Sequence, residues 1–396
     1  MRILLVHNFY QQFGGEDQVV LAEMERLKKT HEVYFYSRHN DELLQFGAVQ
    51  KAQAALATIS SGTTKSQIAS VVAEFRPDIA FTHNIYPLIS PSIYHALHAL
   101  AVPIVQVIHD FRPLCPNGWF FNSTGICERC KEGNYLHAIR YKCYKDSYVY
   151  SSLYAATMSY ARNSGALAKV DAFICLTEFA REKLMSAGIS SDRIYIRPNA
   201  IDASHITPAI GSGDYVAFIG RLSPEKGLWT LVRAFEKLQG PVLKIAGTGP
   251  LEAPIREYIK EKNIQNIEMV GFISGEAKTA FLRNCMFTVV PSEWYEMFPL
   301  VMLEAWAAGK PVITTQLGAM PELVRDGKNG LLFSLGDVGD LADKIDQLFR
   351  APEMVIQMGT EARRMVETQF SLEANDDLLI DIFDRVRGIS PAMAAP

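Results

Sequence analysis

The feature that most constrains this chain is a rhythm that runs twice. Short runs of apolar and β-branched residues alternate with longer amphipathic stretches. The first series has its apolar runs at Arg2–His7, Glu32–Ser37, Asp78–His83, Pro103–His109, Ala172–Leu176 and Arg193–Arg197. Several are almost continuously apolar, as parallel strands covered on both faces must be. Between them, Glu16–Lys29, Ser66–Phe75, Pro91–Leu100 and Phe179–Ala187 have the spacing of helices. Strand and helix in alternation predict a doubly wound parallel sheet.

The rhythm stops over Asn199–Asp214, which carries Pro208, Gly211 and Gly213 with little apolar periodicity. It then restarts, with strands predicted at Tyr215–Gly220, Val242–Gly247, Ile267–Gly271, Met286–Pro291, Pro311–Thr315 and Gly330–Phe333. Helices are predicted at Leu228–Leu238, Leu251–Glu261 and Leu300–Ala308. The expected fold class is α/β: two Rossmann-like doubly wound parallel-sheet domains facing across a cleft, with ligands at the carboxyl ends of the strands. The expected domains are 1–199, a linker 200–214, 215–370, and a C-terminal helix and tail 371–396. The helical stretch Leu372–Arg387 can pack on either domain, and the small, Pro-rich Ile389–Pro396 is expected to be disordered.

Length supports the division, because 396 residues exceed what one ordinary core accommodates. The net charge of −4 argues against a whole-molecule polyanion binder, and with no recognised binding module nucleic acid is not an expected partner. No run of 18 apolar residues occurs, and the start, Met1–His7, lacks a signal-peptide pattern, so a cytoplasmic protein is expected. Six cysteines in such a chain read as thiols or metal ligands before disulfides.

Two loops carry chemistry-bearing residues at predicted strand ends. In Phe218-Ile-Gly-Arg-Leu-Ser-Pro-Glu-Lys-Gly-Leu228, Arg221 and Lys226 lie between a strand and a helix N-terminus, where cations and backbone N–H groups suit a diphosphate. A solvated loop whose charges pair with Glu225 is the alternative. In the stretch from Pro291 to Gly309, Glu296 precedes an apolar helix and Glu304 lies inside it. A carboxylate there needs a partner, either a vicinal diol such as ribose or a basic residue of the protein.

With these motifs in order, the chain strongly resembles the retaining glycosyltransferases of family four, which have the two-domain GT-B fold. The resemblance rests on Gly14-Gly15-Glu16, Gly220-Arg-Leu-Ser-Pro-Glu-Lys-Gly227, Ala246-Gly-Thr-Gly-Pro250, Glu296 to Glu304, and Gly309-Lys-Pro-Val312. It implies that Arg221 and Lys226 hold the donor diphosphate and that Glu304 grips the ribose. It implies that Glu296 lies near the donor sugar and the reacting centre. Phe298 and Leu300, between the two glutamates, complete the implied donor set. Gly14 and Gly15 would let the backbone approach the donor phosphate. His109 matches a histidine facing the donor sugar. The family commonly has Phe-Gly after the first Glu, whereas this chain has Phe298-Pro299, which removes one backbone N–H. Asp110 is expected to orient His109, and His83 only to line the cleft.

The segment Asp110–Asp146 breaks the rhythm and shows no clear helix. It contains Cys115, Cys127, Cys130 and Cys143, which either close a structural zinc site or are ordinary thiols in a loop. Cys175 and Cys285 read as core fillers. Arg129, Lys131, Arg140, Lys142 and Lys145 are interleaved with Tyr135, Tyr141 and Tyr144. That composition suits an anionic membrane surface or a lipid-linked acceptor, and equally an ordinary solvated loop.

The expected activity is transfer of a sugar from a nucleoside-diphosphate sugar to an acceptor hydroxyl with retention, without a catalytic metal. The expected acceptor is a glycan or lipid-linked glycan in cell-surface polysaccharide or lipopolysaccharide assembly. A sugar-nucleotide epimerase of the same fold and a non-catalytic nucleotide-sugar binding protein are the alternatives.

Overall fold

The computed structural model describes residues 1–211 and 213–388; the tail Ile389–Pro396 lies outside the described residues. Two compact units emerge. One comprises Met1–Arg197 with the chain from Asp377 onward, the other Pro198–Asp376.

The first unit is built on strands β1 (Arg2–Phe9), β2 (Glu32–His39), β3 (Ile79–Thr82), β4 (Ile104–Ile108), β7 (Ala172–Cys175) and β8 (Ile194–Ile196). They form one parallel sheet in the order β2-β1-β3-β4-β7-β8. The apolar runs become fully covered strands: Ile3, Leu4, Leu5 and Val6, and all of β3, β4 and β7, are buried. Helix Gly15–Leu27 follows β1 and buries Val20, Met24 and Leu27.

The second unit has β9 (Tyr215–Ile219), β10 (Leu243–Ala246), β11 (Ile267–Gly271), β12 (Cys285–Val290), β13 (Val312–Thr315) and β14 (Gly330–Phe333). Their order, β11-β10-β9-β12-β13-β14, is that of a doubly wound sheet. Its core joins Val216 and Phe218 of β9 to Phe287 and Val289 of β12 and to helices Leu228–Glu236 and Val338–Arg350. The last helix, Leu372–Val386, starts in this unit and runs into the first, where Phe383 is buried against Phe81.

The twelve strands of the two large sheets occur where the apolar runs predict them, with ends shifted by at most two residues. Helices Ala48–Ile59, Gly275–Asn284, Val338–Arg350 and Pro352–Gln369 come in addition. The reading of Asp110–Asp146 as lacking a helix needs correction. A hairpin of two-residue strands, β5 (Phe121–Asn122) and β6 (Gly125–Ile126), forms there, followed by a short helix, Leu136–Arg140. Gly125 at φ +94° supplies the turn conformation the hairpin requires.

Candidate active site

In the second sheet the strand order reverses between β9 and β12, so the loops leaving these two strands flank the switch point. They are the loops that carry Arg221 and Lys226, and Glu296. The first is held down tightly. Gly227 has φ +67°, and a Cβ there would lie 1.9 Å from the Pro291 carbonyl oxygen. A Cβ on Gly247 would lie equally close, 1.9 Å, to the Gly220 carbonyl oxygen, and one on Gly249 2.5 Å from that of Leu222. These glycines bring three loops into backbone contact.

Within that frame each charge has a partner. Arg221 donates through Nη2 to Glu225 Oε1 at 2.8 Å and through Nε to Ser223 Oγ at 3.1 Å. Ser223 in turn donates to Glu225 at 2.6 Å. Glu225 is buried, yet the Arg221 side chain remains 46% exposed, so the carboxylate fixes the guanidinium without hiding it. Lys226 Nζ donates to Glu296 Oε1 at 2.7 Å and lies 5.0 Å from the centre of the Trp294 ring. Ser292 Oγ also donates to Glu296, at 2.7 Å. Burial alone would push the Glu296 carboxyl up. The Lys226 charge and the hydrogen bonds from Lys226 and Ser292 outweigh it and hold the group below its ordinary value. Glu296 is therefore a carboxylate at neutral pH.

Glu304 lies on helix Leu300–Ala307, which follows Pro299, and forms an ion pair with Lys278 at 2.5 Å. Phe298 is buried against Phe370 and its carbonyl accepts from Asn199 Nδ2 at 3.0 Å, so its side chain packs the core. Leu300 is half-buried at the first turn of the helix. Arg221, Lys226 and Glu296 thus come together around the switch point.

The first unit has its own polar cavity, lined among others by Tyr10, Glu16, His83, His109, Asp110 and Arg112. Gly14 caps helix Gly15–Leu27 in extended backbone, its N–H donating to Asp17 Oδ2 at 2.9 Å, and Gly15 is exposed. A Cβ on Gly14 would meet nothing closer than 3.9 Å, so the unit's own packing does not demand glycine there. Tyr10 donates to Glu16 at 2.8 Å, and burial raises the Glu16 carboxyl to about 7. His7 and Asp17 form a fully buried pair at 2.8 Å.

His109 ends its strand facing His83, with Nε2 and Nδ1 2.9 Å apart and the rings stacked at 5.2 Å. One ring must donate and the other accept, so the pair cannot hold both protons. Burial, followed by the charge of His7, lowers His109 to about 4, and burial lowers His83 as well. Behind them, Glu23 approaches His83 Nε2 at 3.6 Å and pairs with Arg197 at 2.5 Å. Asp110 does not orient His109 as expected. Its carboxylate accepts from the Arg112 backbone N–H at 2.8 Å and pairs with the Arg112 guanidinium at 3.2 Å. His83 takes that orienting place instead.

Cys115, Cys127, Cys130 and Cys143 line one small cavity together with Asn117, Asn122 and His137, and all four are free thiols. Burial raises the Cys115 thiol to about 11 and the Cys130 thiol to about 12. Cys175 and Cys285 are fully buried. Among the described residues no group of three or more His, Cys, Asp or Glu is already gathered as a metal set. No helix among the described residues is long and apolar enough to cross a membrane.

Sequence reading missed Lys278, Ser292, Glu23 and Arg197. Lys278, Glu23 and Arg197 each reach their partner from a different element, so no local spacing encodes the pairing, whereas Ser292 stands four residues before Glu296 in the same loop. Glu225 and Glu16 carried a signal, since both stand inside motifs already singled out.

Two family models match the chain in succession: Glycosyltransferase Family 4 over residues 13–205 and Glycosyl transferases group 1 over residues 204–365. An uncharacterised glycosyltransferase of Methanocaldococcus jannaschii is 30% identical over 203 residues, covering 51% of this chain and 56% of that protein. The lipopolysaccharide core biosynthesis glycosyltransferase LpsE of Rhizobium meliloti is 26% identical over 249 residues, 60% of this chain and 70% of that one. For several other curated relatives the match spans about half of their length or less. The crystal structure of Anabaena HepE in complex with UDP superposes with a TM-score of 0.73 at 16% identity, over 97% of this chain and 100% of that one.

Proposed function

Because the chain belongs to the glycosyltransferases that these two family models describe, with a GT-B fold, we propose that it transfers a sugar from a nucleoside-diphosphate sugar to an acceptor hydroxyl, retaining the anomeric configuration. The observation that carries the reading is the convergence of Arg221, Lys226 and Glu296 at the switch point of the second sheet. A diphosphate leaving group carries concentrated charge. A half-exposed guanidinium and an ammonium fixed by buried carboxylates are preorganised to receive it, and no divalent ion is needed in that role. Lys278 and Glu304 are proposed to separate when ribose hydroxyls replace the ammonium on the carboxylate. Neighbours solved with UDP or UDP-glucose support this class of donor.

In the first unit, exposed Gly15 and its neighbour Gly14 would admit a donor phosphate close to the backbone. The neutral His109, held by His83, would face the sugar as a hydrogen-bonding group. The departing phosphate takes the acceptor proton in this reading, so no side chain is assigned as general base.

Relatives in lipopolysaccharide core and O-antigen assembly support a glycan or lipid-linked glycan as acceptor. The surface near the insert suits an enzyme working against the inner face of a membrane. Leu136, Tyr148, Val149 and Tyr150 are exposed, and Lys142 and Lys145 stand over the Tyr148 and Tyr150 rings at 4.9 and 5.3 Å.

Thermal unfolding in the presence of a panel of nucleotide sugars, with EDTA throughout, tests the donor site. A donor that binds the folded chain raises its Tm, by about 2.7 kcal/mol of stabilisation at a hundredfold excess over Kd. The expected result is a shift with one class of nucleoside diphosphate sugar that is smaller in Glu304→Ala. No shift with any nucleotide sugar would refute the reading.

A further inference from the structure

We propose that Cys115, Cys127, Cys130 and Cys143 together bind one zinc(II) ion, which fastens the insert to the wall of the cavity containing His109.

Four thiols from three separate segments line a single cavity, and backbone hydrogen bonds hold each segment in place. Cys115 closes a turn: its N–H donates to the Phe111 carbonyl at 2.8 Å, and its own carbonyl accepts from Gly118 at 2.8 Å. The hairpin β5–β6 delivers Cys127, whose N–H donates to the Phe120 carbonyl at 2.7 Å. The chain then turns after Cys130, with Gly133 at φ +99° donating to the Cys130 carbonyl at 2.9 Å. Cys143 donates to the Ala138 carbonyl at 3.0 Å. Asn117 joins the first and last of these segments, its Nδ2 donating to the Phe121 and Cys143 carbonyls at 2.6 and 3.2 Å.

A two-residue hairpin and a five-residue helix do not hold together by themselves. A Cys-x-x-Cys at the foot of a hairpin, completed by two further cysteines, is the donor set of a closed tetrahedral zinc site. The sulfurs are not yet gathered about one point. They stand on the cavity wall, where the Cys115 thiol donates to Asn117 Oδ1 at 3.0 Å and Asn122 Nδ2 approaches Cys143 Sγ at 3.7 Å, and an ion held at about 2.3 Å from each sulfur would replace these contacts. The ion displaces the four thiol protons, leaving a centre of net charge −2.

The consequence for the site is mechanical. The turn that begins at Phe111 and contains Cys115 also fixes Asp110, since a Cβ on Gly118 would lie 2.9 Å from the Asp110 carboxylate. Asp110 and Arg112 line the same cavity as His109. Clamping Cys115 therefore clamps that wall.

The test is metal content of the full-length wild-type protein, purified without chelator and measured by elemental mass spectrometry. The expected result is one equivalent of zinc, released on thiol modification, absent from the Cys127→Ser/Cys130→Ser variant and retained by Cys175→Ser and His137→Ala. Cobalt in place of zinc should show a thiolate charge-transfer band. Iron in place of zinc, disulfides among the four cysteines, or four reactive thiols with no metal would each overturn the proposal. The wild-type measurement decides even if the double variant fails to fold.

Discussion

Glu296 and Glu304 stand on the same motif but answer to different cations, and that difference separates their expected roles. Glu296 is buried with Lys226 and Ser292, next to where the sugar would react, whereas Glu304 is held by Lys278 on the helix. Glu304→Ala is expected to weaken donor binding with little change in kcat, and Glu296→Ala to lower kcat chiefly. Each loses a charged hydrogen bond worth about 1.5–3 kcal/mol, roughly tenfold to a hundredfold. Steady-state kinetics with donor varied reads the split, and wild-type values for both variants would remove these residues from the site. The histidine pair makes a second prediction. His109 is lowered to about 4 in the folded chain, against about 6.5 unfolded, so it contributes stability above pH 6.5 that is lost as pH falls towards 4. Glu16 has the opposite sign: raised to about 7, it erodes stability as pH rises from about 4.5. Urea unfolding of His109→Gln should show a flatter fall on the acid side than the wild type, by up to about 3 kcal/mol at pH 4. An unchanged acid limb would contradict a buried neutral His109.

At the level of elements, the strands were legible because a doubly covered parallel strand must be apolar at nearly every position, and β3, β4 and β7 are. The loops at their ends were legible through Gly, Pro and charge. What stayed hidden was pairing at a distance. Lys278 lies on helix Gly275–Asn284, which carries only a modest apolar face, and nothing local assigns it to Glu304, 26 residues further on. The hairpin in the insert had a readable turn at Asn122–Gly125, but its strands are too short to produce alternation. Asp110 misled because adjacency in sequence put it beside His109, whereas Arg112 captured its carboxylate. The close loop contact in the second unit makes its own prediction. Gly227→Ala forces a Cβ against the Pro291 carbonyl in a left-handed conformation, which should destabilise the chain by more than 1 kcal/mol and displace Lys226. A variant with wild-type Tm and donor affinity would show that this contact is dispensable.

The whole molecule carries a net charge of −4, yet the insert concentrates cations, and the helix that follows it, Tyr148–Asn163, exposes Tyr148, Val149 and Tyr150, whereas Tyr135 of the insert itself is buried. Reversible, salt-sensitive binding to anionic vesicles is the expected consequence, since each Lys or Arg near such a surface contributes about 1 kcal/mol. Co-sedimentation should fall with added salt and on changing Arg140, Lys142 and Lys145 to Ser. Indifference to anionic vesicles at low salt would leave the insert as a structural element and favour a soluble acceptor. Group transfer with retention is examined directly by NMR of the reaction as it proceeds. Once a stabilising nucleotide sugar is known, the protein is incubated with it and a candidate acceptor while the anomeric signals of donor and product are followed. The expected result is acceptor-dependent release of nucleoside diphosphate and a product whose anomeric configuration matches the donor's. Inverted product, or an altered free sugar released with no acceptor present, would contradict it.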